Sequence, residues 1–196
     1  MTLLILGLVI FLGMHGFSMA RGSRAALIAR VGEGPYKGLY SLVSLIGIVL
    51  IAVGYGQYRA GGYIPVWDPP VWTRHLALLL VWIAFICVFA AYLPGHIKAR
   101  LKHPMLAGVK IWAFAHLLAN GDLGSILLFG SILVWAVLAR ISAKRRDVAA
   151  QHGGTAAPAG WRNDLLAVLV GTVVYLAFVF WLHPWLIGVP VLPMRA

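Results

Sequence analysis

The sequence predicts an all-α protein: a polytopic transmembrane bundle of about six spans, forming a single domain over residues 1–196. Three observations predict it. Hydrophobic residues make up 62% of the chain and charged ones 11%, with a mean hydropathy of +0.91, whereas a soluble domain is nearer half apolar and a quarter charged. The apolar residues gather in runs long enough to cross a hydrocarbon core of about 30 Å. Lys and Arg fall in the segments between those runs, alternately rich and poor, which is the charge asymmetry that orients membrane helices.

Charge and turn punctuation place the spans near Thr2–Ala20, Gly38–Tyr55, Val71–Leu93, Pro104–Ala119, Leu123–Arg140 and Asp164–Leu182. The N-terminal run lacks a basic start and is longer than the apolar part of a signal peptide, so it reads as a retained first helix. The first connection carries Arg21, Arg24, Arg30 and Lys37, and the third carries Lys98, Arg100 and Lys102. The fifth carries Arg140, Lys144, Arg145, Arg146 and Arg162. The second has only Arg59 and Arg74, and the fourth has none. The odd connections are therefore expected in the cytoplasm and both termini on the other side, the periplasm. Within the fifth, Gln151–Gly160 reads as a flexible linker. The fourth and fifth spans are expected to be short, joined by the polar turn Asn120-Gly121-Asp122 as a hairpin whose tip is covered by protein.

The net charge of +11 does not point to nucleic acid, because the basic residues are dispersed over short loops that face anionic lipid. The expected partner is the lipid bilayer. The single Cys87 excludes an intramolecular disulfide, and no C-x-x-C-H motif is present for covalent haem attachment.

Ionisable groups at membrane depth are costly, so those that occur there are candidate functional groups. His15 lies in the first span between Gly13 and Gly16, with Ser18 one turn on. His116 lies late in the fourth span, with Trp112 and Asn120 on its face of the helix. His103 and Lys110 share a different face of that helix. Neutral imidazole is the commonest protein ligand of metals and of haem iron. The competing reading is a histidine that hydrogen-bonds a neighbouring helix. His75, His96 and His183 sit at span edges and read as interfacial, and His152 reads as a solvated linker residue. Lys110 reads as snorkelling toward the basic side. Asp122 is expected to cap the fifth span, with orientation of His116 as the alternative.

Four stretches carry a resemblance: FLGMHGFSM around His15, VGEGPYKGLYSLVSL from Val31 to Leu45, HPMLAGVKIWAFAHLLANGDLGSILLFG from His103 to Gly130, and LHPWLIGVPV near the end. They resemble the NnrU family over nearly the whole chain. That family is similar to plant 15-cis-zeta-carotene isomerase, a membrane protein carrying haem b between histidines. The resemblance implies non-covalent, bis-histidine haem b here, with His15 and His116 as ligands and Trp112 and Asn120 beside it. The isomerase has a further histidine at the end of its second span, where this chain reads GYGQYRAGG. The family association implies a role in denitrification beside the nitrite and nitric oxide reductase machinery. The isomerase likeness implies instead a cis-trans isomerase of an apolar polyene. A cofactor-free membrane assembly factor is the third reading. A fainter likeness, to isoprenylcysteine methyltransferases, is confined to Arg100, His103-Pro104 and Gly108. Depth bears on the ligand pair: on the expected topology His15 and His116 differ by about 12 Å at 1.5 Å per residue. His103 would match His15 more easily, whereas the family likeness favours His116.

Overall fold

The computed structural model describes residues 1–149 and 160–192. His152 and nearly all of the expected linker lie outside the described residues. The helices are α1 (Thr2–Phe17), α2 (Arg21–Val31), α3 (Glu33–Ala60), α4 (Val71–Ala90), α5 (His96–Leu101), α6 (Pro104–Ala119), α7 (Leu123–Ala149), α8 (Trp161–Ala177) and α9 (His183–Ile187). A π-helical turn, Phe178–Leu182, joins α8 to α9.

Six apolar helices thus stand where six spans were expected. Helices α3, α4, α7 and the continuous stretch Trp161–Ile187 are each long and apolar enough to cross a membrane. Helix α1 meets that test only together with α2, and the two are bent 88° apart. Helix α6 is a shorter apolar helix of 16 residues.

Several boundaries differ from expectation. Residues 21–31, expected as a loop, form α2. Their Ala, Leu, Ile and Arg side chains are adequate helix formers, and low hydropathy marks the end of lipid rather than the end of helix. Gly32, at φ +88°, separates α2 from α3; only glycine takes that backbone conformation freely. Helix α7 is not short: it runs through the basic Lys144–Arg146 segment to Ala149 for the same propensity reason.

The bundle is built as a chain of neighbours. Helix α3 packs on α1, α7 joins α1 to α6, and α4 joins α6 to α8. The α1–α3 seam depends on glycine. A Cβ on Gly7 would lie 2.6 Å from the Ile51 backbone nitrogen, and one on Gly47 would lie 2.8 Å from Phe11 Cβ. Small residues let membrane helices approach until their backbones touch. At the centre, Leu4 and Leu8 of α1 meet Leu128 and Phe129 of α7. On the other flank Trp82 of α4 donates its indole N–H to Thr172 of α8 at 2.9 Å. The outward surfaces of α3 and α8 remain apolar and exposed, as Leu45 and Val173 illustrate, and suit contact with lipid.

The α6–α7 turn is covered, as the sequence suggested, but by a segment the sequence did not single out. Val66 and Trp67 donate their backbone N–H groups to the Gly121 carbonyl at 2.8 and 3.0 Å, and Leu123 donates to the Ile64 carbonyl at 2.9 Å. Pro65 and Asp122 form an isolated bridge. The α3–α4 connection is therefore a roof over the turn.

Candidate histidine sites

His15 ends α1, one turn before the chain bends. Its Nδ1 lies 2.8 Å from the Phe11 carbonyl. A carbonyl oxygen only accepts, so Nδ1 carries the proton, and in the neutral tautomer Nε2 is the nitrogen with the lone pair. The ring lies 4.1 Å from Phe11, 5.3 Å from Tyr40 of α3 and 5.4 Å, edge-on, from Trp135 of α7. A Cβ on Gly13 or Gly16 would meet nothing within 4 Å. The space these glycines leave is not filled by another helix. Ser18 donates its hydroxyl to the His15 carbonyl at 2.6 Å and closes the helix end.

His116 repeats the arrangement near the other end of the bundle. Its Nδ1 lies 2.8 Å from the Trp112 carbonyl, so Nε2 is again the unprotonated nitrogen. The ring stacks on Phe129 of α7 at 4.5 Å and lies 4.8 Å from Trp112. Asn120 donates both its backbone and side-chain N–H groups to the His116 carbonyl, at 3.0 and 2.8 Å. Trp112 and Asn120 thus hold the histidine in place, one from each side.

The structure does not bring His15 and His116 into contact. Both lean on α7, His15 at Trp135 and His116 at Phe129. Those two α7 positions are six residues apart, an offset in depth of about 9 Å at 1.5 Å per residue. Two imidazoles on one iron have their Nε2 atoms about 4 Å apart, with each bond near 2 Å. A group held by both histidines would have to span that offset.

His103 is otherwise engaged. It precedes α6, and its Nε2 lies 2.9 Å from Asp147 Oδ2 at the end of α7. The nitrogen an iron would need is taken by a carboxylate, so the easier depth match with His15 does not make His103 a free ligand. His96, expected as interfacial, is tied to Asp164: Nδ1 lies 2.7 Å from Oδ2, and the backbone N–H groups of His96 and Ile97 donate to the same carboxylate. That carboxylate caps α5 and fastens it to the start of α8.

His183, expected as interfacial, is held by a local bond. It follows the π-helical turn, and its Nδ1 lies 2.7 Å from the Val189 carbonyl.

Asp122 caps α7 as expected. Its Oδ1 accepts the Ser125 backbone N–H at 2.9 Å and its Oδ2 accepts the Ser125 hydroxyl at 2.6 Å. Ser125 is fully buried and lies 2.7 Å from the Tyr55 hydroxyl. Because Ser125 donates to the carboxylate, Tyr55 donates to Ser125. The alternative role, orienting His116, is not what the bonds show: Trp112 occupies the His116 Nδ1 proton.

Four buried polar atoms, Tyr36 Oη, Ser44 Oγ, Trp135 Nε1 and Arg140 Nη1, have no hydrogen-bond partner among the described residues. Such groups are rare in a settled interior. Trp135 borders His15, and Tyr36 neighbours Tyr40, which also borders it. Unpaired donors beside a free imidazole Nε2 and an open glycine surface fit a bound group carrying its own acceptors. Among the described residues no three His, Cys, Asp or Glu side chains converge.

No curated protein and no solved structure matches the chain significantly. A family profile described as NnrU protein matches residues 3–191, which include His15, His116, the Asp122 cap and both connecting turns. Nearly the whole of this helical membrane bundle is therefore accounted for by one family description, and the chain belongs to the NnrU family.

Proposed function

We propose that this chain is a bacterial inner-membrane haem b protein that serves denitrification in an accessory or redox role, beside the nitrite and nitric oxide reductases. The observation that carries the reading is the matched state of two histidines. His15 and His116 each commit Nδ1–H to the carbonyl four residues back, leaving Nε2 basic inside an aromatic wall. Orienting the far nitrogen in this way is how proteins prepare a histidine as an axial ligand. His15 and His116 would hold the haem, with Trp112 and Phe129 flanking it on one side and Tyr40 and Trp135 on the other. Bound haem b would supply a one-electron iron centre within the bilayer. The chain's own part is to orient both imidazoles and to exclude water. The sorting of Lys and Arg supports periplasmic termini.

The aromatic and apolar surroundings of both histidines also favour a second reading, cis-trans isomerisation of an apolar polyene entering from lipid. Absorbance spectra of the purified protein, oxidised and reduced, test the shared premise. A Soret band that shifts on reduction supports it. A colourless protein from haem-replete cells would leave the cofactor-free assembly role. Growth on nitrite then separates the first two readings.

A further inference from the structure

A groove of about 450 Å³ opens where α1 gives way to α2, lined by Met19, Arg21, Leu138, Ile141, Ser142, Arg145 and Arg146. It is remote from the roofed α6–α7 turn and lies at the basic end of the bundle. Three of its seven lining residues are arginines, and among the described residues none of the three pairs with a carboxylate. Arg146 is held in place, donating to Ser142 Oγ at 3.1 Å. The start of α2 adds to the charge. No side chain caps that helix, and its first intrahelical partner is Arg24 N–H on the Ala20 carbonyl. The N–H groups of residues 21–23 are thus unsatisfied within the helix, a local positive pole beside Arg21.

The groove is amphipathic along α7. Val134, Leu138, Ile141 and Arg145 recur at i, i+4, i+7 and i+11, one face of a helix. The three apolar members are 60%, 53% and 44% exposed. An apolar stripe therefore runs from the bundle's middle and ends at a guanidinium. Helix α2 leaves α1 at 88°, which sets Arg21 across the groove from that end of the stripe.

From this geometry we infer that the groove is a binding site for an anionic phospholipid, its phosphate held by Arg21, Arg145 and Arg146 and an acyl chain lying along Val134, Leu138 and Ile141. A guanidinium matches a phosphate with paired donors. The stripe argues for a lipid rather than a soluble phosphate compound, because a soluble ion gains nothing from exposed Leu138 and Ile141. The inference does not depend on haem.

Native mass spectrometry of the intact protein in mild detergent tests it, with phosphatidylglycerol, phosphatidylcholine of the same chains and inorganic phosphate as probes. Wild type should bind phosphatidylglycerol more tightly than phosphatidylcholine. Arg21→Gln and Arg145→Gln should each weaken that preference about fivefold. Arg59→Gln, remote from the groove, should leave it unchanged. An unchanged detergent-phase melting temperature in Arg145→Gln keeps the comparison valid, and Arg21→Gln provides it independently if Arg145→Gln fails to fold. Equal binding of the two lipids by wild type, or full preference in both variants, would overturn the inference. Displacement of phosphatidylglycerol by millimolar inorganic phosphate would overturn it too, by assigning the groove to a soluble anion.

Discussion

The His116 imidazole lies 4.5 Å from the Phe129 ring, with the two planes inclined by only 29°. Together with the bond from Nδ1 to the Trp112 carbonyl, this stack removes both freedoms of the ring, its tautomer and its rotation. In the neutral ring they leave Nε2 aimed and available as an acceptor or ligand.

The ligand assignment is tested by spectra of variants. His15→Ala and His116→Ala should each abolish or shift the haem bands. His103→Ala should not, because its Nε2 is bound to Asp147, and neither should His152→Ala. Unchanged spectra in both His15→Ala and His116→Ala would refute the assignment. Loss of the bands in His183→Ala, with His116→Ala unaffected, would instead move the second ligand to His183.

Asp122 should act through stability rather than through the histidine. Asp122→Ala removes the cap acceptor of the Ser125 N–H and the acceptor of the Ser125 hydroxyl, leaving that buried hydroxyl only its bond with Tyr55, so a loss of about 1–2 kcal/mol is expected. Asp122→Asn keeps one acceptor at Oδ1 and should lose less. Thermal unfolding in detergent measures both. A changed redox potential in a fully folded Asp122→Asn protein would revive the discarded link to His116.

The α1–α3 seam gives a steric test. Gly7→Leu forces a side chain into the Ile51 backbone and should destabilise by at least about 1–3 kcal/mol, the usual range for overpacking. Gly16→Ala meets open space and should be close to neutral for folding. If Gly16→Ala also left haem content intact while bulkier Gly16→Phe emptied the site, the space beside His15 would be identified as the cofactor's.

Topology is testable with reporter fusions. Fusions at Met1 and Ala196 should report a periplasmic location and one at Gln151 a cytoplasmic one. Cytoplasmic activity from the Ala196 fusion would contradict an even number of crossings.

In a denitrifying host, deletion of the gene should impair nitrite or nitric oxide reduction and spare aerobic growth. The isomerase reading forecasts the reverse: intact denitrification, and conversion of a cis-polyene that is lost in His116→Ala. The second pattern of results would replace the first reading.

Composition and local pattern were enough to reveal the all-α membrane class, the six apolar helices and the Asp122 cap. Each depends on burial in lipid or on neighbours within one helical turn, and both are written in consecutive residues. The bonds from His15 and His116 to the carbonyls four residues back are local for the same reason. The remainder joins residues far apart in the chain. His103 finds Asp147 44 positions away, Tyr55 finds Ser125 70 positions away, and the 61–70 connection meets Gly121. The depth offset between His15 and His116 likewise follows from where α1 and α6 rest on α7. Helix docking is set by which small and aromatic side chains interlock across a seam, so partners distant in the chain leave no periodic mark along it.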